Sequence, residues 1–254
     1  MRTAEWTESV SVLDRVTAVF EAFGEHDEGL GISELARRAK LPKSTVSRIA
    51  ADLVEQRFLD RDGDKLHLGV RLFELGQTVE QPRRLRQLAL PVMTDLRNAT
   101  GQTVHLAVLE GTDVVFIAIV RGGPLPTPLA RVGGRLPAHA TALGKAILAF
   151  SPQDVVERIA YGGLERRTQH TLVEPSALLR ELVGIRSSGT ATEREECAID
   201  RTCTASPILG NGGAPIAAIS VTGSVDAVLP DRVAPAVRAA AMTLSHWVGA
   251  GRNH

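Results

Sequence analysis

At Gly101 the spacing of apolar residues changes, and one layer of one kind of secondary structure cannot satisfy both sides of that change. Before it, apolar residues recur every three or four positions. Val12, Val16, Val19, Phe20 and Phe23 form one run, Val46, Ile49, Ala50 and Leu53 another, and Leu72, Leu75 and Val79 a third. That is the period of an amphipathic helix. After Gly101, "QTVHLAVLE" and "DVVFIAIV" flank Gly111 in the manner of two strands of a meander. A chain of 254 residues is long enough for two such parts, each with its own core.

The first part resolves into recognisable pieces. A helix is expected from about Ser9 to Phe23, and "GEHDEGLG" after it reads as a loop. Ser33 is a candidate N-cap for a short helix carrying Leu35, Ala36 and Ala39. Pro42 ends that stretch and suits the first turn of the next helix, which runs to about Gln56. "FLDRDGDKLHL" then gives two short strand-like halves around Asp62-Gly63, a two-residue hairpin signal. Three helices followed by a hairpin is the order of a winged helix-turn-helix. Beyond it, one helix is expected to stop near Pro82 and another to carry Leu85, Leu88 and Val92. The expected division is 9–70 for the winged domain, 71–86 for a linker and 87–250 for the second domain.

In that second domain "HATALGKAILAF", "SPQDVVERIAYG" and "EPSALLRELVGIRSSG" read as helices, and "RTCTASPIL" and "APIAAISVTG" as strands around "GNGG". A last helix is expected over 231–248, with Pro235 tolerated only near its first turn. Antiparallel strands with helices between them predict an α+β sensor-like domain.

Lysine plus arginine number 29 and aspartate plus glutamate number 29, which excludes a polycationic nucleic-acid coat but leaves room for a local basic face. The beginning "MRTAEWTESV" has no signal-peptide pattern, and "VVFIAIV" is too short to span a bilayer, so a cytoplasmic protein with no membrane partner is expected. Cys197 and Cys203 are too few for a disulfide scaffold.

The positive charge is placed. From Leu35 to Ala51 stand Arg37, Arg38, Lys40, Lys43 and Arg48 with no carboxylate, although residues 1–80 hold 11 basic and 15 acidic side chains. Lys43, Ser44 and Thr45 fall in the first turn of the second helix of the motif, and Ser47 and Arg48 one turn later. The N-terminal part of that helix is what enters a major groove. Arg48 there could take both acceptors of a guanine, while Arg37, the lysine and the hydroxyls suit phosphates. The acidic tip Asp62-Gly63-Asp64 repels phosphates, which leaves Arg61 and Lys65 as wing contacts. A charged face on a small helical domain is also commonly just solvated, and some winged helices bind proteins instead.

From "VLDRVTAVFEAFGEHDEGLGISELARRAKLPKSTVSRIAADLVEQRFLDRDGDKLHLGVRLFELG", through "LPAHATALGKAILAF", to "ASPILGNGGAPIAAISVTG", the chain resembles the isocitrate-lyase-regulator (IclR) family of bacterial transcription factors. The resemblance covers about residues 9 to 249. It implies a winged helix-turn-helix, a linker helix and a GAF-like domain that binds a small metabolite, in dimers or tetramers on palindromic operators. It implies an effector cavity lined by Ala142, Leu143, Glu193, Cys203, Ser220 and Thr222, with Leu125 and Leu136 closing an apolar wall. Where the family commonly has aspartate, this chain aligns Glu193.

The residues themselves allow a physical reading of that cavity. Thr141 is a candidate N-cap, leaving the amides of Ala142, Leu143 and Gly144 to receive a carboxylate, although a capped helix packing on a sheet needs no ligand. Gly144 would admit a close approach by ligand or backbone. The "GK" pair is not a phosphate loop, since its upstream glycine spacing and its hydroxyl are missing. Alternation puts Ser220 and Thr222 on one side of their strand, and Cys203 on a neighbouring strand can share it. A pocket of amides and hydroxyls without a cation is the expectation, with a small carboxylate as effector and no cofactor. No catalytic or metal-binding set is recognised. The two cysteines lack a zinc spacing, and no G-x-S-x-G, H-E-x-x-H or dinucleotide glycine pattern occurs. The reading is a dimeric, ligand-responsive regulator, a repressor more than an activator. A protein-interaction module or an enzyme of the sensor domain is the alternative.

Overall fold

The computed structural model describes residues 11–24, 27–123 and 130–250, and the chain divides into two compact units, 1–80 and 81–254. The unit boundary falls inside the 71–86 stretch.

In the first unit α1 (Val12–Glu21) is opened by Ser11, whose hydroxyl accepts the Asp14 amide at 3.0 Å while Asp14 accepts the Ser11 amide at 2.9 Å. This reciprocal cap fixes the start three residues later than Ser9, which lies outside the described residues. The glycine- and acid-rich stretch is not all loop. It ends in a two-residue strand β1 (Leu30–Gly31), after which Gly31 caps α2 (Ile32–Ala39). Ser33 therefore sits inside the helix, not at its cap, because Gly31 is drawn into a strand and the helix begins at once. Lys40 turns the chain with a left-handed φ of 54°, and α3 (Lys43–Glu55) follows with Pro42 as its N-cap. Val19, Leu35, Val46, Ala50, Leu59 and Leu66 are fully buried between these helices and the hairpin β2 (Leu59–Asp62) and β3 (Lys65–Leu68). The turn is Gly63-Asp64, one residue later than Asp62-Gly63, since Asp62 still pairs with Lys65. Gly63, at φ 58°, supplies the positive φ that such a tight turn needs at its first position. Strand β1 pairs with β3 and makes the wing three-stranded, in the order β1-β3-β2.

Helix α4 (Val70–Gln77) ends before Pro82, and α5 (Glu80–Thr100) starts two residues before it. The break is at Thr78-Val79, and Pro82 lies in the first turn of α5, where its missing N–H has no intrahelical use.

The second unit is built on a six-stranded antiparallel sheet of order β6-β5-β4-β9-β8-β7. Its strands are β4 (Thr103–Glu110), β5 (Asp113–Val120), β6 (Arg135–Pro137), β7 (Ala191–Arg194), β8 (Thr202–Leu209) and β9 (Pro215–Gly223). Alternation along β9 sends Ala217, Ile219 and Val221 to one face and Ala218, Ser220 and Thr222 to the other. The first face is covered by α5, through Leu85, Ala89, Met93 and Leu96, and by α9 (Pro230–Ala250), through Val237, Ala240, Ala241 and Leu244. The second is covered by α6 (Ala142–Leu148), α7 (Gln153–Tyr161) and α8 (Pro175–Ser188). Pro235 is the sixth residue of α9, beyond the first turn in which it was expected. Gly144 answers to backbone and not to ligand: a side chain there would overlap the Ala138 carbonyl of the 3-10 turn before α6. Helices packed on both faces of an antiparallel sheet make the unit α+β, as its sequence pattern predicts.

Candidate nucleic-acid interface and effector pocket

Helix α3 carries the first site because its sequence has two sides. Val46, Ile49, Ala50 and Leu53 are buried, while Lys43, Ser44, Ser47 and Arg48 are exposed and Thr45 is half-buried. Its first turn holds no acidic residue and no side chain caps its amides. The positive end of the helix dipole, three uncapped amides, a lysine and two hydroxyls thus face outward together, a set matched to a phosphate. Thr45 and Arg48 are one strip further round, where they line a groove toward α1 with Val12, Arg15 and Asp52.

The basic window is less free than its count suggests. Arg37 forks onto Glu34 at 2.6 and 2.9 Å, and Arg38 is held by Asp27, by Glu34 and by the Ala22 carbonyl. The two guanidinium groups push the Glu34 carboxyl down to about 2. Arg37 is thereby a paired surface residue. On the wing, Arg61 is exposed, whereas Lys65 donates to the Glu28 carbonyl at 3.1 Å.

The second site lies between the sheet and the start of α6. Thr141 is the N-cap, as its sequence position suggests, and its hydroxyl accepts the Gly144 amide at 3.1 Å. Gly144 is therefore unavailable to a ligand, and the amides of Ala142 and Leu143 remain as those without an intrahelical acceptor. Around them a small cavity is lined by Leu136, Ala142, Leu143, Glu193, Cys203 and Thr222, six of the eight expected residues. Leu125 lies outside the described residues. Ser220 shares the face but is fully buried beside the Cys203 thiol and does not line the cavity. The register explains the grouping, since Glu193, Cys203, Thr222 and Thr103 are successive cross-strand partners on β7, β8, β9 and β4.

The cavity also contains the cap Thr141 and five residues that sequence reasoning did not place there: His105, Phe116, Ala130, Cys197 and Arg201. Arg201 overturns the expectation of a pocket without a cation. It is only 7% exposed and follows Asp200, whose φ is 55°, in an irregular turn that no periodicity marks. His105 could have been found, because it alternates with Thr103 and Ala107 onto the face that carries Thr222. Its ring meets that of Phe116 edge-on at 5.2 Å, and burial, helped by the charges of Arg201 and Arg121, pushes its pKa down to about 3.

Glu193 accepts the amides of Glu196 at 2.7 Å and Cys197 at 3.0 Å. Burial nevertheless pushes its carboxyl up to about 7, and pushes the Cys197 and Cys203 thiols up to about 11 and 12. At neutral pH the cavity thus presents a neutral imidazole, two inert thiols, a carboxyl near its midpoint and a guanidinium. Such a lining is chemically able to pair with a small anion that carries apolar parts. Among the described residues no group of three or more metal-ligating side chains is assembled, and no helix is long and apolar enough to cross a membrane.

Comparison with known proteins matches each part of the chain to a domain family. Residues 12–63 match the model described as the IclR helix-turn-helix domain, and residues 77–246 that of the bacterial transcriptional regulator IclR C-terminal. The chain is 34% identical over 236 residues to the transcriptional repressor IclR of Escherichia coli (strain K12), covering 91% of this chain and 86% of the relative. It is 32% identical to the regulator KdgR of the same organism, over 85% of this chain and 82% of the relative. Among solved structures, an IclR homolog from Microbacterium hydrocarbonoxydans complexed with 4-hydroxybenzoate superposes with a TM-score of 0.85 at 32% identity, covering 93% and 98% of the two chains.

Proposed function

The chain belongs to the IclR family of bacterial transcriptional regulators and is a DNA-binding regulator, and on that premise we propose that it is a repressor whose hold on its operator is modulated by a small organic acid. The observation that carries this reading is the outer face of α3, with Lys43, Ser44, Ser47 and Arg48 exposed over a buried apolar face. On a duplex, Lys43 and the first-turn amides and hydroxyls take phosphates, Arg48 reads a base edge, and Arg61 contacts the backbone from the wing. Arg37 and Lys65 contribute after exchanging their internal partners for phosphate. Repression is supported by the Escherichia coli relative, which is a transcriptional repressor.

The effector binds in the cavity of the second unit, with its carboxylate toward Arg201 and the Ala142 and Leu143 amides and its carbon skeleton against Phe116, Leu136 and Leu143. The aromatic acid held by the Microbacterium homolog supports this ligand class. The protein acts in the cytoplasm without catalysing a reaction, as a homodimer or pair of dimers on palindromic sites. A coupling of about 1–3 kcal/mol between the two sites changes operator affinity several- to a hundredfold.

Footprinting the protein across its genome, then titrating small carboxylates into a complex with one recovered site, tests the reading. Sequence-specific protection that an acid strengthens or weakens is expected. Binding without sequence preference would remove the regulator's operator from the proposal.

A further inference from the structure

The cavity has only about 30 Å³ of space, against the roughly 300 Å³ or more that holds a metabolite. An effector of ordinary size therefore needs more room than the described walls leave between them. Two walls are the hydrogen-bonded sheet and α6. A third is the segment from Glu195 to Arg201 between β7 and β8, which carries Cys197 and Arg201 and is built differently. Both Glu195, at φ 59°, and Asp200, at φ 55°, adopt left-handed backbone that is unfavourable for a residue with a side chain. Side chains from elsewhere hold it: Thr168 and Thr171 donate to the Glu195 and Glu196 carbonyls at 2.6 and 2.7 Å, and Glu193 takes two of its amides.

A further tie is ionic. Lys145, on α6, is fully buried, and its ammonium lies 2.6 Å from Glu196 Oε1 in the segment and 2.6 Å from Glu181 Oε1 on α8. Buried ion pairs seldom add net stability over apolar packing, and this one leaves Glu196 Oε2 buried with no hydrogen-bond partner among the described residues. If Glu196 leaves, the Lys145 ammonium still has Glu181, so the bond to the segment can open without stranding the buried cation.

We propose that Lys145 is the latch of the cavity wall: its bond to Glu196 holds the 195–201 segment closed against the pocket and ties it to α8, and effector entry opens that bond. Lys145 is a positioning residue for Arg201 and Cys197 and touches no ligand. The proposal deepens the reading of the cavity as the effector site and rests on it.

The chain supplies its own probe, because Cys197 is on the segment and Cys203, the only other cysteine, is in the sheet. Alkylation of both thiols by iodoacetamide, followed by mass spectrometry on the whole protein, reads wall opening without any effector. In Lys145→Met, and more mildly in Glu181→Gln, Cys197 is expected to label about tenfold faster while Cys203 does not change. Equal acceleration of both thiols, or of neither, overturns the latch. Hydrogen exchange of the unaltered protein supplies a measurement independent of the variants' folding. The 195–200 amides should exchange well before those of β8, and exchange only with global unfolding overturns the latch as well. Because no ligand is present, these failures would leave the cavity's role as effector site standing, whereas that role fails in ligand titrations.

Discussion

Glu193 and Cys203 face one another across the β7–β8 ladder, the carboxyl pushed up to about 7 and the thiol to about 12 by the same burial. Cross-strand pairing puts a titrating acid and an inert thiol on one wall of the cavity, so the charge of that wall near neutral pH is set by Glu193 alone of the two.

That pairing fixes a pH dependence. In the unfolded chain the Glu193 carboxyl titrates near 4.5, and in the folded protein near 7, so the folded state holds the proton longer. Stability from this group is complete below about 4.5 and is lost as pH rises through 7. Glu193→Gln keeps an acceptor for the Glu196 and Cys197 amides and removes the titration. The variant should gain on the parent protein by up to about 3 kcal/mol between pH 5 and pH 8. Denaturant melts at the two pH values check this, and a difference independent of pH would contradict it.

Arg48, on α3, and Arg37, on α2, should behave differently. Arg48→Ala is expected to weaken specific operator binding by about 1–3 kcal/mol and to relax preference at one base pair. Arg37, already forked onto Glu34, should matter less and only through salt-dependent, sequence-independent affinity. Fluorescence anisotropy with specific and scrambled duplexes at one fixed salt concentration separates the two. Equal losses on both duplexes for Arg48→Ala would move Arg48 from base reading to backbone contact.

Cavity geometry ranks three substitutions for effector binding. Arg201→Met should abolish the thermal shift given by a carboxylate ligand, since it removes the cation that lines the cavity. Thr222→Val should reduce that shift, and Ser220→Ala should leave it nearly intact because Ser220 is buried behind the lining. Thermal-shift titrations with 4-hydroxybenzoate and short aliphatic acids make the comparison. A larger loss from Ser220→Ala than from Thr222→Val would reverse the placement of the ligand.

Residues with strong periodicity were readable from the sequence, and those held by distant partners were not. Alternation along β9 is enough to align Ser220 and Thr222 and to bring Cys203 beside them, and the apolar rows of α3 leave its exposed face determined. The two-residue strand β1 has no pattern of its own, and it exists only because β3 pairs with it. Counting charges overstated the basic window, since Glu34 lies one residue before it and Asp27 reaches Arg38 from across a loop. Arg201 and Cys197 stand in a turn held by Glu193, Thr168, Thr171 and Lys145, partners far apart in sequence.

The short pairing of Leu30 and Gly31 with β3 has a mechanical result. It ties the hairpin to the two residues just before α2, so the helix pair and the wing meet a duplex as one tool. Any accommodation to a bent or mis-spaced half-site is therefore left to the nucleic acid or to the chain beyond Gln77, and not to the tool itself.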